Sequence, residues 1–169
     1  MKIPILIAFL LVVGCSSQKK IESTTVSTLS QPSKPRSFVP LTKYNGDTTR
    51  FMVDNFITNK QNYLNKPFSN LIDDIQLPVF DYIQGSSAHN TEISPFIILK
   101  FNKPTEEDNK ISQNKLPLTL IVQWGNPVSM KEVNDLIKNN NYKWTKEVKD
   151  YFNKQNVGDI KIQNYMVKK

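Results

Sequence analysis

One histidine and one cysteine limit the chemistry open to this 169-residue chain. A serine nucleophile needs a base to take its proton, and His89 is the only imidazole. It lies in Gly85-Ser86-Ser87-Ala88-His89-Asn90, with Ser94 close behind. No G-x-S-x-G elbow is present, and a single polar loop holds both partners, so His89 reads as a solvated loop residue and no catalytic residue is assigned. Paired carboxylates run glycoside hydrolysis without His or Cys. Asp73 and Asp74 are neighbours on an expected helix, where side chains diverge by about 100° and do not share a substrate. Asp74 and Asp81 meet only if tertiary folding brings them together. Glu106-Glu107-Asp108-Asn109 offers oxygen ligands but lacks the alternating spacing and central Gly of an EF-hand loop. Gly46, Gly85, Gly125 and Gly158 each stand alone, so no loop cradles phosphate. One Cys excludes both a disulfide framework and a Cys-rich metal site. No metal and no cofactor are expected. The place to look for a ligand is Trp124-Gly125-Asn126-Pro127. There an aromatic closes a strand, a glycine turns the chain, and a helix N-terminus, which accepts anions, follows.

The elements that carry these residues read as an α+β domain over residues 41–169. Asp47 is a good N-cap for a helix with Met52, Val53, Phe56, Ile57, Lys60, Tyr63 and Leu64 at helical spacing. Pro67 opens a second, short helix with Phe68, Leu71, Ile72 and Ile75 on one face, ended by Leu77-Pro78. Strands follow over 79–84, 93–101 and 116–124. In the second, Ile97, Leu99 and Phe101 alternate with Phe96, Ile98 and Lys100. In the third, Leu118, Leu120, Val122 and Trp124 share a face. The polar stretch 102–115 between them is long for a hairpin loop. Ser129 and Glu132 form a capping box, and Val128 with Val133 a hydrophobic staple, at the start of a helix carrying Val133, Leu136 and Ile137. Asn139-Asn140-Asn141 breaks it. Thr145 caps another helix with Val148, Tyr151 and Phe152 facing inward, and Gly158 turns into a last strand over 159–167. The order α-α-β-β-β-α-α-β predicts an antiparallel sheet of about four strands with helices packed on one face.

The front of the chain carries an address. Met1-Lys2 is a short positive start, and Ile3–Val13 is an uncharged apolar run broken only by Pro4. A stretch of this length is too short for a spanning helix, which needs about 20 residues. Charge, apolar core and a small residue at the cut make a secretory signal. Val12-Val13-Gly14-Cys15 resembles the lipobox of bacterial lipoproteins, with Val12 where the family prefers Leu. The resemblance implies cleavage after residue 14 and acylation of Cys15, which anchors the chain in the lipid bilayer. It implies no transmembrane helix in the mature protein. Ser16 after the Cys is not Asp, so by the enteric rule nothing retains the protein in the inner membrane. Surface-exported lipoproteins of Bacteroidota carry clustered acids there, and Gln18-Lys19-Lys20-Ile21-Glu22 lacks the acidic pair. The expected location is the outer membrane facing the periplasm, with the cell surface as the alternative.

Residues 15–40 read as a disordered tether. Nine Ser or Thr fall between Ser16 and Ser33, and Pro32, Pro35 and Pro40 follow, with few large apolar side chains. About 25 flexible residues span near 28 Å, enough to hold the body clear of the headgroups. The whole chain carries 22 Lys and Arg against 15 Asp and Glu. Outside the cytoplasm that balance favours an envelope protein or an anionic glycolipid over nucleic acid. The function expected is a membrane-tethered, non-enzymatic binding module. The alternatives are an immunity or inhibitor lipoprotein that neutralises a toxin, and a hydrolase whose carboxylates converge on folding.

Overall fold

The computed structural model describes residues 37–163. The expected leader, residues 1–14, lies outside them, as do residues 15–36 of the expected tether and the end of the last expected strand. The fold is α+β. A four-stranded antiparallel sheet has the order β1 (Asp81–Gln84), β2 (Ile93–Lys100), β3 (Thr119–Ser129), β4 (Val157–Ile162). Alternation decides its faces. Tyr82, Ile97, Leu99, Leu120, Val122, Trp124 and Ile160 point inward and are buried. On the other side Ile83, Ile98 and Ile121 form one cross-strand row, which Lys161 ends at β4.

Four helices send buried side chains into the core on the inward face: α1 (Thr48–Met52), α2 (Phe68–Asp74), α4 (Met130–Asn139) and α5 (Lys146–Phe152). Three of the expected caps form. Asp47 accepts from Arg50 N–H, Ser129 from Glu132 N–H and Thr145 from Val148 N–H. The staple pair Val128 and Val133 is buried. An aromatic stack fills the centre. Trp124 lies parallel to Phe152 at 5.5 Å, Trp144 lies nearly parallel to Phe152 at 6.2 Å, and Phe68 meets Trp124 edge-on at 5.5 Å.

Three expectations are corrected. The polar stretch 102–115 contains a helix, α3 (Pro104–Ser112), so the element order gains an α between β2 and β3. It buries none of its residues, so the apolar stripe that marks the other helices is missing. It rests on Pro at its start, on the Glu106 carboxylate accepting from Lys103 N–H, and on the Glu107–Lys100 ion pair at 2.9 Å. The expected helix after Asp47 is broken: α1 passes into a π turn (Val53–Ile57) and then a 3-10 turn (Lys60–Asn62). Asn55 explains the slip. Its side-chain N–H donates to Phe51 O, and the backbone bond shifts register so that Thr58 N–H reaches Val53 O. β3 runs on past Trp124 to Ser129, because Ser94 and Ile93 pair with Val128 and Ser129 beyond a bulge that sets residues 124–127 of β3 against the single Pro95 of β2.

The body also begins before the expected boundary at residue 41. Phe38 packs edge-on against Phe51 at 6.1 Å, and the Asn55 side chain clasps Val39 by both backbone groups, accepting from N–H at 2.9 Å and donating to C=O at 3.0 Å. Asn55 is buried, so its loss strands three backbone groups together. Asn55→Ala is expected to cost about 2 kcal/mol, the scale of leaving buried polar groups unpaired, in a denaturant titration. Amide exchange at Val39 should rise in the same variant.

Candidate functional site

The structure separates the residues that chemistry would need together. Ser94 is fully buried, and its hydroxyl donates to Phe96 O at 3.4 Å. His89 is exposed on its loop, with its backbone N–H donating to Ser87 Oγ, and among the described residues no hydrogen bond joins it to Ser94. The three carboxylates have separate partners. Asp73 pairs with Lys149 at 3.2 Å, Asp74 accepts from the Tyr63 hydroxyl at 2.9 Å, and Asp81 pairs with Lys100 at 3.5 Å. Burial first, then the Asp74 carboxylate, pushes Tyr63 well above the ordinary tyrosine value. Glu106 and Glu107 brace α3. Among the described residues no group of three His, Cys, Asp or Glu could hold a metal ion.

Trp124, Gly125 and Asn126 do not form an open junction. The Trp124 indole is buried, stacked on Phe152 and perpendicular to Phe68, and its Nε1 is buried without a partner. Gly125 and Asn126 are exposed, but they continue β3, and Gly125 N–H donates to Asn156 O at 2.7 Å. Gly158 lets the strands close here: a Cβ on it would sit 2.7 Å from Trp124 O. The helix N-terminus expected just beyond lies at Met130, five residues past Gly125.

A different place has the form of a site. A cleft of about 380 Å³ opens between β1 and α4. One wall is all of β1, from Asp81 to Gln84; the other is Asn134, Asp135, Ile137 and Lys138 of α4. The Gln84 side-chain amide donates to Asn134 Oδ1 and so ties the two walls, while its own oxygen is buried without a partner. The Tyr82 hydroxyl is likewise buried and unpartnered. Burial, then the Asp81 carboxylate, pushes it up to about 12, so it stays protonated.

Tyr142 stands at the end of the cleft with 72% of its surface exposed. Its φ of +59° follows one of +53° at Asn141, and Tyr142 N–H closes α4 by donating to Ile137 O at 2.9 Å. A bulky side chain in the left-handed region costs about 1–2 kcal/mol. The helix end therefore holds a strained aromatic out in solvent at the cleft mouth. Sequence reading missed this group. The Asn run at 139–141 marked the helix break, but nothing in the residue types says which side of the break faces β1.

No family model, curated protein or solved structure matches the chain. The site must be read from its own geometry.

Proposed function

We propose that the chain is a membrane-tethered lipoprotein of the outer membrane, facing the periplasm, whose folded body binds a partner without catalysing a reaction. The β1–α4 cleft carries this reading: it is open, has an exposed aromatic at its mouth, and brings together no nucleophile with a base. The lipobox resemblance at Val12–Cys15 supports the tether. Among the described residues no helix is long and apolar enough to cross a membrane.

Charge narrows the partner. Residues 37–163 hold fifteen Lys and Arg against fourteen Asp and Glu, a net of +1. The rest of the chain's +7 lies in the segments on either side. The body thus lacks the basic excess that an anionic glycolipid or an acidic toxin would meet, and an envelope protein is the better partner.

Crosslinking in intact cells tests the proposal. The mature chain should retrieve one envelope component, and Tyr142→Asn should lose it. Turnover of a glycan, peptide or ester by the purified chain, abolished by Asp81→Asn or His89→Ala, would overturn it.

A further inference from the structure

Resting on that reading of the body as a binding module, we infer that the β1–α4 cleft takes an extended polypeptide segment, which adds to the free edge of β1 as a fifth strand. The sheet order leaves β1 paired on one side only. The hydrogen-bond parity says which of its groups are free. Gly85 N–H donates to Phe96 O, in register with the Asp81–Lys100 and Ile83–Ile98 pairs, so the odd-numbered residues bond to β2. Phe101 N–H donating to Leu118 O gives β2 the complementary parity toward β3. The backbone groups of Tyr82 and Gln84 therefore face away from the sheet.

The cleft lies on that edge. A cavity over one face of a strand meets every second side chain, because successive side chains point to opposite faces. This one meets four residues in a row, with Tyr82 buried inward and Ile83 half exposed outward. Only the edge is common to all four. The free Tyr82 N–H is capped by Asp81 Oδ1 at 2.8 Å. That carboxylate oxygen stands where the carbonyl of a fifth strand would sit, and it protects the edge until a peptide displaces it.

The facing helix supplies what side chains of such a strand would meet. Ile137 and the exposed Tyr142 ring take an apolar residue. Lys138 has no ion pair among the described residues, whereas Asp135 pairs with Lys131 and Asp81 with Lys100. A carboxylate on the incoming segment is therefore the complementary charge. A second depression, of about 810 Å³, shares Asn134 and Asp135 with the cleft and runs to Thr91–Ile93, which gives an extended occupant a track beyond Gln84. Strand addition beside a helix gives affinity through main-chain bonds and specificity through alternate side chains.

The probe is a 12-residue peptide selected from a random phage-displayed library on the full mature chain, resynthesised with fluorescein and followed by anisotropy. N-methylation of the peptide backbone should abolish binding at every second position and spare the positions between. Tyr142→Asn, which keeps the left-handed backbone, should weaken binding by roughly tenfold or more. Lys138→Glu should weaken an acid-containing peptide by about fivefold or more, and Asp81→Ala, which frees the edge amide, should tighten it several-fold. Thermal melts establish that each variant is folded. Uniform tolerance of N-methylation, wild-type affinity in both Tyr142→Asn and Lys138→Glu, or a library that yields no binder would overturn the inference. Binding of a chitooligosaccharide or of lipopolysaccharide in place of any peptide would overturn it too, while leaving a binding module. A wild-type chain that crosslinks to nothing in the envelope would remove the module itself.

Discussion

Phe152→Ala is expected to destabilise the folded body by about 3–5 kcal/mol, the cost of truncating a fully buried aromatic. Phe152 has no exposed surface and touches four other rings: Trp124 and Trp144 on its faces, with Tyr151 at 5.3 Å and Tyr82 at 6.5 Å. Removing it opens a cavity between two indoles that are themselves held by the stack, so the site has little freedom to collapse. A domain of this size has about 5–15 kcal/mol in total, so the variant sits near the edge of folding. Urea titration measures the loss. Trp124 and Trp144 are the chain's only two tryptophans, so tryptophan fluorescence, excited selectively over tyrosine, reports on this stack alone. The native emission of the variant should shift to the red as water reaches the indoles. Phe80→Ala is the control. Phe80 is 41% exposed, and its loss should stay within about 0.5 kcal/mol. A Phe152→Ala loss no larger than the control's would mean that the stack does not hold the helices to the sheet.

What the sequence revealed follows from where its signals are local. Alternation in Ile97, Leu99 and Phe101, and in Leu118, Leu120, Val122 and Trp124, gave the inward faces of β2 and β3 correctly, because a half-buried strand writes its burial with a period of two. Asp47, Ser129 and Thr145 were legible as caps because each satisfies backbone N–H groups within three residues. α3 was missed for the opposite reason: it buries nothing, so periodicity is silent, and only Pro104 with Glu106 and Glu107 behind it marked a helix start. The π turn was hidden because its cause is one side-chain bond, Asn55 donating to Phe51 O, which the apolar spacing of the helix does not register.

The cleft lay further out of reach. Its walls, β1 and α4, are about fifty residues apart in the chain, and nothing within β1 says that it lies at the sheet edge. The candidate chosen from sequence, Trp124-Gly125-Asn126, combined an aromatic, a glycine and a nearby helix start. Those same features serve packing: Trp124 fills the core, and Gly125 continues a ladder. Tyr142 carried the better signal, an aromatic just past a helix break with no apolar stripe to join. An aromatic that the local pattern does not bury asks for a partner beyond the element it ends.

Cys15→Ala is expected to abolish incorporation of labelled palmitate, and to remove the attachment that survives washing in 1 M salt. The magnitudes separate acylation from the other ways the chain could hold to a bilayer. Each buried methylene of an acyl chain contributes about 0.8 kcal/mol, and two or three chains together give stable anchoring where one gives only reversible binding. Lys19, Lys20, Lys34 and Arg36 precede the body, and near an anionic surface each contributes about 1 kcal/mol. That contribution is screened within about 3 Å at 1 M salt, so the wash would remove it and leave an acyl anchor in place. The body's net charge is +1, so its electrostatic contribution is about that of one such residue. Wild type should therefore take up label and stay in the membrane fraction through the wash, and Cys15→Ala should do neither. A wild type that takes up no palmitate would detach the proposed function from the membrane. The cleft between β1 and α4 would then have to find its partner in solution, with the affinity of one groove and no help from confinement to a surface.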